Sequence, residues 1–165
     1  MALQNYLKTR TDRPLLIEAG AKRKRGEGTV KATLKEGEVF LKRGDQVYRL
    51  TYNSKDSGRG RHLPPGEYTL FGYRIVNGNW HTSATGGHSK VLIRKGKTTK
   101  LKLNSAIRIQ VRAQRKGQGV SLRMGIGGDK VNGLSIYRDG KRVPIEYRLQ
   151  LDGNSPPATG TMNYG

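Results

Sequence analysis

Apolar and polar residues alternate along much of this chain, the pattern of strands that bury one face. Val30, Ala32 and Leu34 alternate with Lys31 and Thr33, and Thr99, Leu101 and Leu103 with Lys100 and Lys102. Ile107, Ile109, Val111 and Ala113 alternate with Arg108, Gln110 and Arg112, so an arginine face lies opposite an apolar one. Val120, Leu122, Met124 and Ile126 repeat that arrangement around Ser121, Arg123 and Gly125, and Ile145, Tyr147, Leu149 and Leu151 do so around Glu146, Arg148 and Gln150. Short apolar runs at Leu15-Leu16-Ile17, Val39-Phe40-Leu41, residues 47–52 and Val91-Leu92-Ile93 predict further strands.

Turn chemistry separates these segments. Pro65 has the fixed φ wanted at the second position of a type II turn and Gly66 the freedom wanted at the third. A strand over residues 68–76 should follow, then an Asn77-Gly78 type I′ turn and a return strand over residues 79–84. Asp139-Gly140 is a second type I′ signal, and Arg43-Gly44-Asp45, Lys95-Gly96-Lys97 and Lys116-Gly117-Gln118-Gly119 are further turns. About ten to twelve short strands without a convincing helix predict an all-β protein, an antiparallel β-sandwich of immunoglobulin-like or transthyretin-like kind. Residues 1–13, with Leu3, Tyr6 and Leu7 at helical spacing before a polar stretch, are expected to form a mobile arm. Residues 14–104 form a sandwich unit, and residues 105–165, after a break near Asn104-Ser105, form a second β unit or continue the first. The tail is expected to be irregular, with an edge strand near residues 161–164.

Charge adds a constraint on partners. Thirty-two Lys and Arg against 12 Asp and Glu give a formal net charge of +20, and this self-repulsion opposes compaction unless counterions or an anionic partner screen it. Nucleic acid, acidic polysaccharide or an anionic membrane surface would serve, and a merely solvated basic surface is the competing reading. The chain has no cysteine, which excludes disulfides, thiolate zinc sites and cysteine nucleophiles. No run has the length of a membrane helix, and residues 1–14 lack the apolar segment of a secretory signal, so the sequence as written reads as that of a soluble protein without a transmembrane segment.

The candidate polyanion contacts are Lys22, Arg23, Lys24 and Arg25 in one loop, Lys55, Arg59 and Arg61 in a glycine-rich loop, and Lys100, Lys102, Arg108, Arg112 and Arg123 on a sheet face. Tyr48, Tyr73 and Trp80 are candidates for stacking on bases or sugar rings, against the favoured reading that large aromatics fill a sandwich core. Gly96-Lys97-Thr98 has the end of a phosphate-binding loop, but Val91 stands where that loop needs glycine. Gly125-Ile126-Gly127-Gly128 has no helix after it to hold a pyrophosphate. His62, His81 and His88 are too few and too loosely spaced for a metal site, and no cofactor is expected. There is no Gly-x-Ser-x-Gly elbow, and the acids are most simply read as ion-pair partners.

Leu63, Pro64, Gly66, Tyr68 and Leu70, followed by Gly96, Thr98, Leu101 and Leu103, give the chain a resemblance to bacterial β-sandwich modules of the carboxypeptidase-regulatory or transthyretin-like type. The stretch from Tyr137 through Asp139-Gly140 to Pro144, with the closing Tyr164-Gly165, resembles uncharacterised exported bacterial proteins that end in a Tyr-Gly element. The resemblance implies a non-catalytic envelope or extracellular module, its export signal removed, that binds, spaces or supports another molecule. The leading expectation is therefore a non-enzymatic binding or structural module that engages an anionic polymer or surface by charge neutralisation, with protein partners also open to it. A nucleic-acid-binding protein using basic loops and exposed aromatics is the alternative, and an enzyme with an unrecognised carboxylate and histidine site is third.

Overall fold

The computed structural model describes residues 15–56, 58–103, 108–117, 119–127, 131, 133–150 and 156–162. The expected arm over residues 1–13, the break at Asn104-Ser105 and the end of the tail lie outside them. Along the chain run β1 (Leu15–Glu18), β2 (Gly28–Ala32), β3 (Gly37–Arg43), β4 (Gln46–Tyr52), β5 (Arg61–Leu63), β6 (Gly66–Asn77), β7 (Trp80–Thr85) and β8 (Lys90–Ile93). They are followed by β9 (Thr98–Leu101), β10 (Arg108–Lys116), β11 (Gly119–Gly127), β12 (Gly133–Arg138), β13 (Lys141–Arg142), β14 (Ile145–Leu149) and β15 (Ala158–Met162).

The fold is all-β and sandwich-like. An eight-stranded sheet has the order β1-β4-β3-β6-β7-β12-β13, with β8 pairing the start of β6, and a three-stranded sheet has the order β5-β2-β9. Inward residues of the small sheet, Val30, Leu63 and Leu101, and Leu103 just beyond it share one core with Val39, Leu41, Leu50, Tyr68 and Leu70 of the large one. Each such aliphatic side chain contributes about 2 kcal/mol on burial. β12 continues the large sheet beside β7, and Ile126, Val131 and Leu134 join the same core. The pairs β1–β4 and β2–β9 are parallel, so the sandwich is mixed where the alternation suggested an antiparallel one.

Two local departures from simple alternation shape the large sheet. Leu41 pairs with Leu70 but Phe40 with Gly72, so Phe71 is an extra residue in β6. This bulge lets Leu70 and Tyr73, three residues apart, both face the core. The β6–β7 turn is shifted by one residue from the expected one. Asn77 pairs with Trp80, which leaves Gly78 and Asn79 as the loop, and only Gly78 has a positive φ, +60°. Glycine in the first loop position is the signature of a type II′ turn, whereas Asp139 and Gly140 are both at positive φ, as a type I′ turn requires.

Tyr48, Tyr52, Tyr68 and Tyr73 are structural. Tyr48 and Tyr73, expected as stacking candidates, are buried in the core. The Tyr48 ring meets Tyr68 edge-on at 5.4 Å and its hydroxyl donates to Gln46 Oε1 at 2.7 Å. The Tyr68 hydroxyl donates to the Pro64 carbonyl at 2.8 Å and that of Tyr52 to Val30 at 3.1 Å, so their polar ends are satisfied within the sandwich.

Candidate polyanion-binding surface

The smaller sheet turns a basic face outward. In the parallel register of β2 and β9, Val30 and Ala32 point inward, which sends Lys31 and its direct partner Lys100 to the exposed side. Two turns extend this face. Lys24 and Glu27 close one of them, with the Glu27 N–H donating to the Lys24 carbonyl at 3.3 Å and the Lys24 N–H to Glu27 Oε2 at 2.8 Å. That turn leaves Lys22, Arg23, Lys24 and Arg25 exposed. It is tied to the β8–β9 turn by the Gly96 N–H donating to the Glu27 carbonyl at 3.1 Å, and the Thr29 N–H donates to Lys97 at 2.9 Å. Residues 22–25 and the exposed Lys95 and Lys97 are thereby brought side by side, although some seventy residues separate them in sequence.

The second basic element is the two-stranded ribbon of β10 and β11. Arg112 lies directly opposite Arg123, and Arg108, Gln110, Gln114 and Lys116 share that face. Ile109, Val111 and Ala113 pair with Ile126, Met124 and Leu122 on the other face. Every residue of β10 is exposed, Ile109 at 60% and Val111 at 61%, whereas Ile126 is buried in the sandwich core.

Carboxylates neutralise cations elsewhere. Arg49 is held by Glu18 and Glu38, Lys90 by Glu67 at 2.7 Å, and Arg138 lies 3.8 Å from Asp139. Between Glu67 and Asp129 the sequence has no acid at all. Among the described residues, Lys31, Lys100, Arg112 and Arg123 stand in no ion pair.

Lys55, Arg59 and Lys102 are exposed, as the sequence led us to expect, and Arg61 is not. Arg61 is only 5% exposed; its Nε donates to the Thr51 carbonyl at 2.6 Å and its guanidinium lies 4.9 Å from the Tyr52 ring centre. It is a core cation, turned inward because it pairs with Val30 across β5 and β2. Burial pushes the Tyr52 hydroxyl up to about 12 although Arg61 opposes the shift. Lys31, Lys95 and Lys97 had the alternation or turn position of surface residues, but their grouping with the basic loop depends on pairings that no local pattern displays.

Trp80 is the exposed member of the stacking set, at 42%, with the Arg138 guanidinium 5.3 Å from its ring centre. His81 stacks on Tyr137 at 4.5 Å, and burial with the nearby Arg74 charge holds its pKa below the ordinary histidine value. His62 lies 3.2 Å from the Thr29 hydroxyl beside a cleft of ≈ 270 Å³ whose rim includes Lys22 and Lys24. The acids of that cleft are engaged, Glu18 by Arg49 and Glu27 by the Lys24 N–H. Among the described residues no group of three or more His, Asp or Glu is placed to hold a metal ion, and no helix is long and apolar enough to cross a membrane.

Compared with protein-family models, curated proteins and solved structures, the chain has no significant match.

Proposed function

We propose that this protein is a non-enzymatic β-sandwich module whose basic surface binds an anionic polymer by charge neutralisation. The observation that carries the reading is the pair of in-register like charges, Lys31 opposite Lys100 and Arg112 opposite Arg123, without carboxylate partners among the described residues. Like charges directly opposite on neighbouring strands are destabilising, by a few tenths to about 1 kcal/mol per pair. An anion lying across both strands turns each repulsion into a shared attraction. The basic loop at residues 22–25 and the turn at Lys95 and Lys97 enlarge the same field.

Binding of this kind releases condensed counterions, so affinity falls steeply as salt rises. The signature from Leu63 to Leu103, which resembles transthyretin-like modules, supports a binding or spacing role. The stacking version of nucleic-acid binding is weakened because Tyr48 and Tyr73 fill the core. The test is a titration of the protein with single-stranded DNA, duplex DNA and an acidic polysaccharide across a salt series. Salt-sensitive binding to at least one of them is expected, and no binding to any at low salt would overturn the proposal.

A further inference from the structure

We infer that the polar face of the β10–β11 ribbon is built to enter the major groove of duplex DNA. This inference rests on the polyanion reading above and names the partner of one part of that surface. The ribbon is nine residues long on each strand, roughly 27 Å, and a two-stranded ribbon fits a groove about 12 Å wide and 8.5 Å deep.

The polar face is asymmetric. On β10 it presents Arg108, Gln110, Arg112, Gln114 and Lys116; on β11 the opposing positions are Gly127, Gly125, Arg123, Ser121 and Gly119. One side is thus a row of long donors and the other is almost bare backbone. Glycine inside a strand weakens it and often marks close approach of another molecule. Gly125 has no compensating need within the fold. It is exposed, lacks the positive φ that requires glycine, and a Cβ there would meet nothing within 4 Å.

The residue types suit base edges. Arginine pairs with the O6 and N7 of guanine and glutamine with the N6 and N7 of adenine, both in the major groove. The ribbon, residues 108–127, contains no acid to repel phosphates and no aromatic residue on which an unpaired base could stack. The lack of acids suits any nucleic acid, and the lack of aromatics favours a duplex over a single strand. A-form RNA has a major groove too narrow for side chains to read, so the inference separates duplex DNA from duplex RNA.

The experiment measures binding of the full chain to matched duplex DNA, duplex RNA, single-stranded DNA and an acidic polysaccharide at one fixed salt. The wild type should bind duplex DNA at least about tenfold more tightly than duplex RNA. Gly125→Val, which adds a good strand former where there is room, should keep the melting temperature or raise it while abolishing that preference. Arg112→Ala with Arg123→Ala should lower duplex affinity and remove the same preference, and Val111→Thr, on the opposite face, should leave duplex binding unchanged. Equal affinity for DNA and RNA duplexes, or full duplex preference in Gly125→Val, would overturn this inference while leaving the broader polyanion reading intact. Failure to bind any of the four polymers would overturn both.

Discussion

Arg61 and Arg112 carry the same side chain in opposite circumstances, and the difference is measurable. Arg61 is buried, bonded to the Thr51 carbonyl and set against the Tyr52 ring. Arg61→Ala should destabilise the protein by about 2 kcal/mol in a denaturant titration, because it leaves a carbonyl unpaired and a void. Arg112→Ala should change stability by less than about 0.5 kcal/mol, since its side chain is exposed and faces another arginine. Gly37 gives the other residue-scale prediction. Its φ is +142°, and a Cβ there would lie 2.0 Å from the Arg74 carbonyl oxygen. Gly37→Ala should therefore cost about 3 kcal/mol or more, read from the same titration. Tyr52 sets an alkaline limit. Its hydroxyl keeps its proton to about pH 12 in the fold but loses it near 10 in the unfolded chain. Between those values the folded state holds more protons, so stability is whole below pH 10 and declines toward pH 12, by about 2 kcal/mol. Urea midpoints on either side of pH 10 check this, and Tyr52→Phe should remove the Tyr52 share of the decline while leaving that of Tyr68 and Tyr73, whose hydroxyls burial also pushes up. The roles of Arg61 and Tyr52 were not legible in the residues alone. Arginine in a glycine-rich loop and tyrosine beside arginine read equally well as surface chemistry, and pairing across β2 and β5 decides that Arg61 points inward.

Strands and hairpins were legible because their causes are local. The alternation at residues 107–113 and 120–126 led directly to β10 and β11 with an arginine face, and Asp139-Gly140 led to the β12–β13 turn. Pairings between distant strands were not, because a period of two says which residues share a face and not which strand comes alongside. Lys31 meets Lys100 only because β2 and β9 run parallel, a connection that takes the chain through most of the sandwich first. The one-residue shift to Gly78-Asn79 has a similar origin. Asn77-Gly78 is the better isolated hairpin turn, but Asn77 opposite Trp80 keeps Tyr73 and Ala84 together in the core. At this scale the ribbon offers a trade between stability and binding. Arg123→Glu would replace a cross-strand repulsion by an ion pair, so thermal stability should rise by up to about 1 kcal/mol while polyanion affinity falls. Calorimetry and a binding titration on the same variant check both signs.

For the whole molecule, a net charge of +20 on 165 residues means that folding works against a long-range repulsion. The shared core of the two sheets opposes it, and salt should assist. As the screening length falls from about 30 Å at 0.01 M to about 3 Å at 1 M, the melting temperature should rise. The paired acids serve Arg49 and Lys90 on the large sheet, and apart from Lys90, which Glu67 reaches, the cations between Glu67 and Asp129 have no acid within that stretch of sequence to offset their charge. The most direct test is the salt dependence of binding to one anionic polymer, measured for the wild type and for a variant with Lys31, Lys100, Arg112 and Arg123 all changed to Gln. If these four residues form the binding surface, the slope of log affinity against log salt becomes shallower by about three or four. An unchanged slope, with the variant folded, would contradict the proposal that the unpaired cations of the small sheet and the ribbon are where the polymer binds.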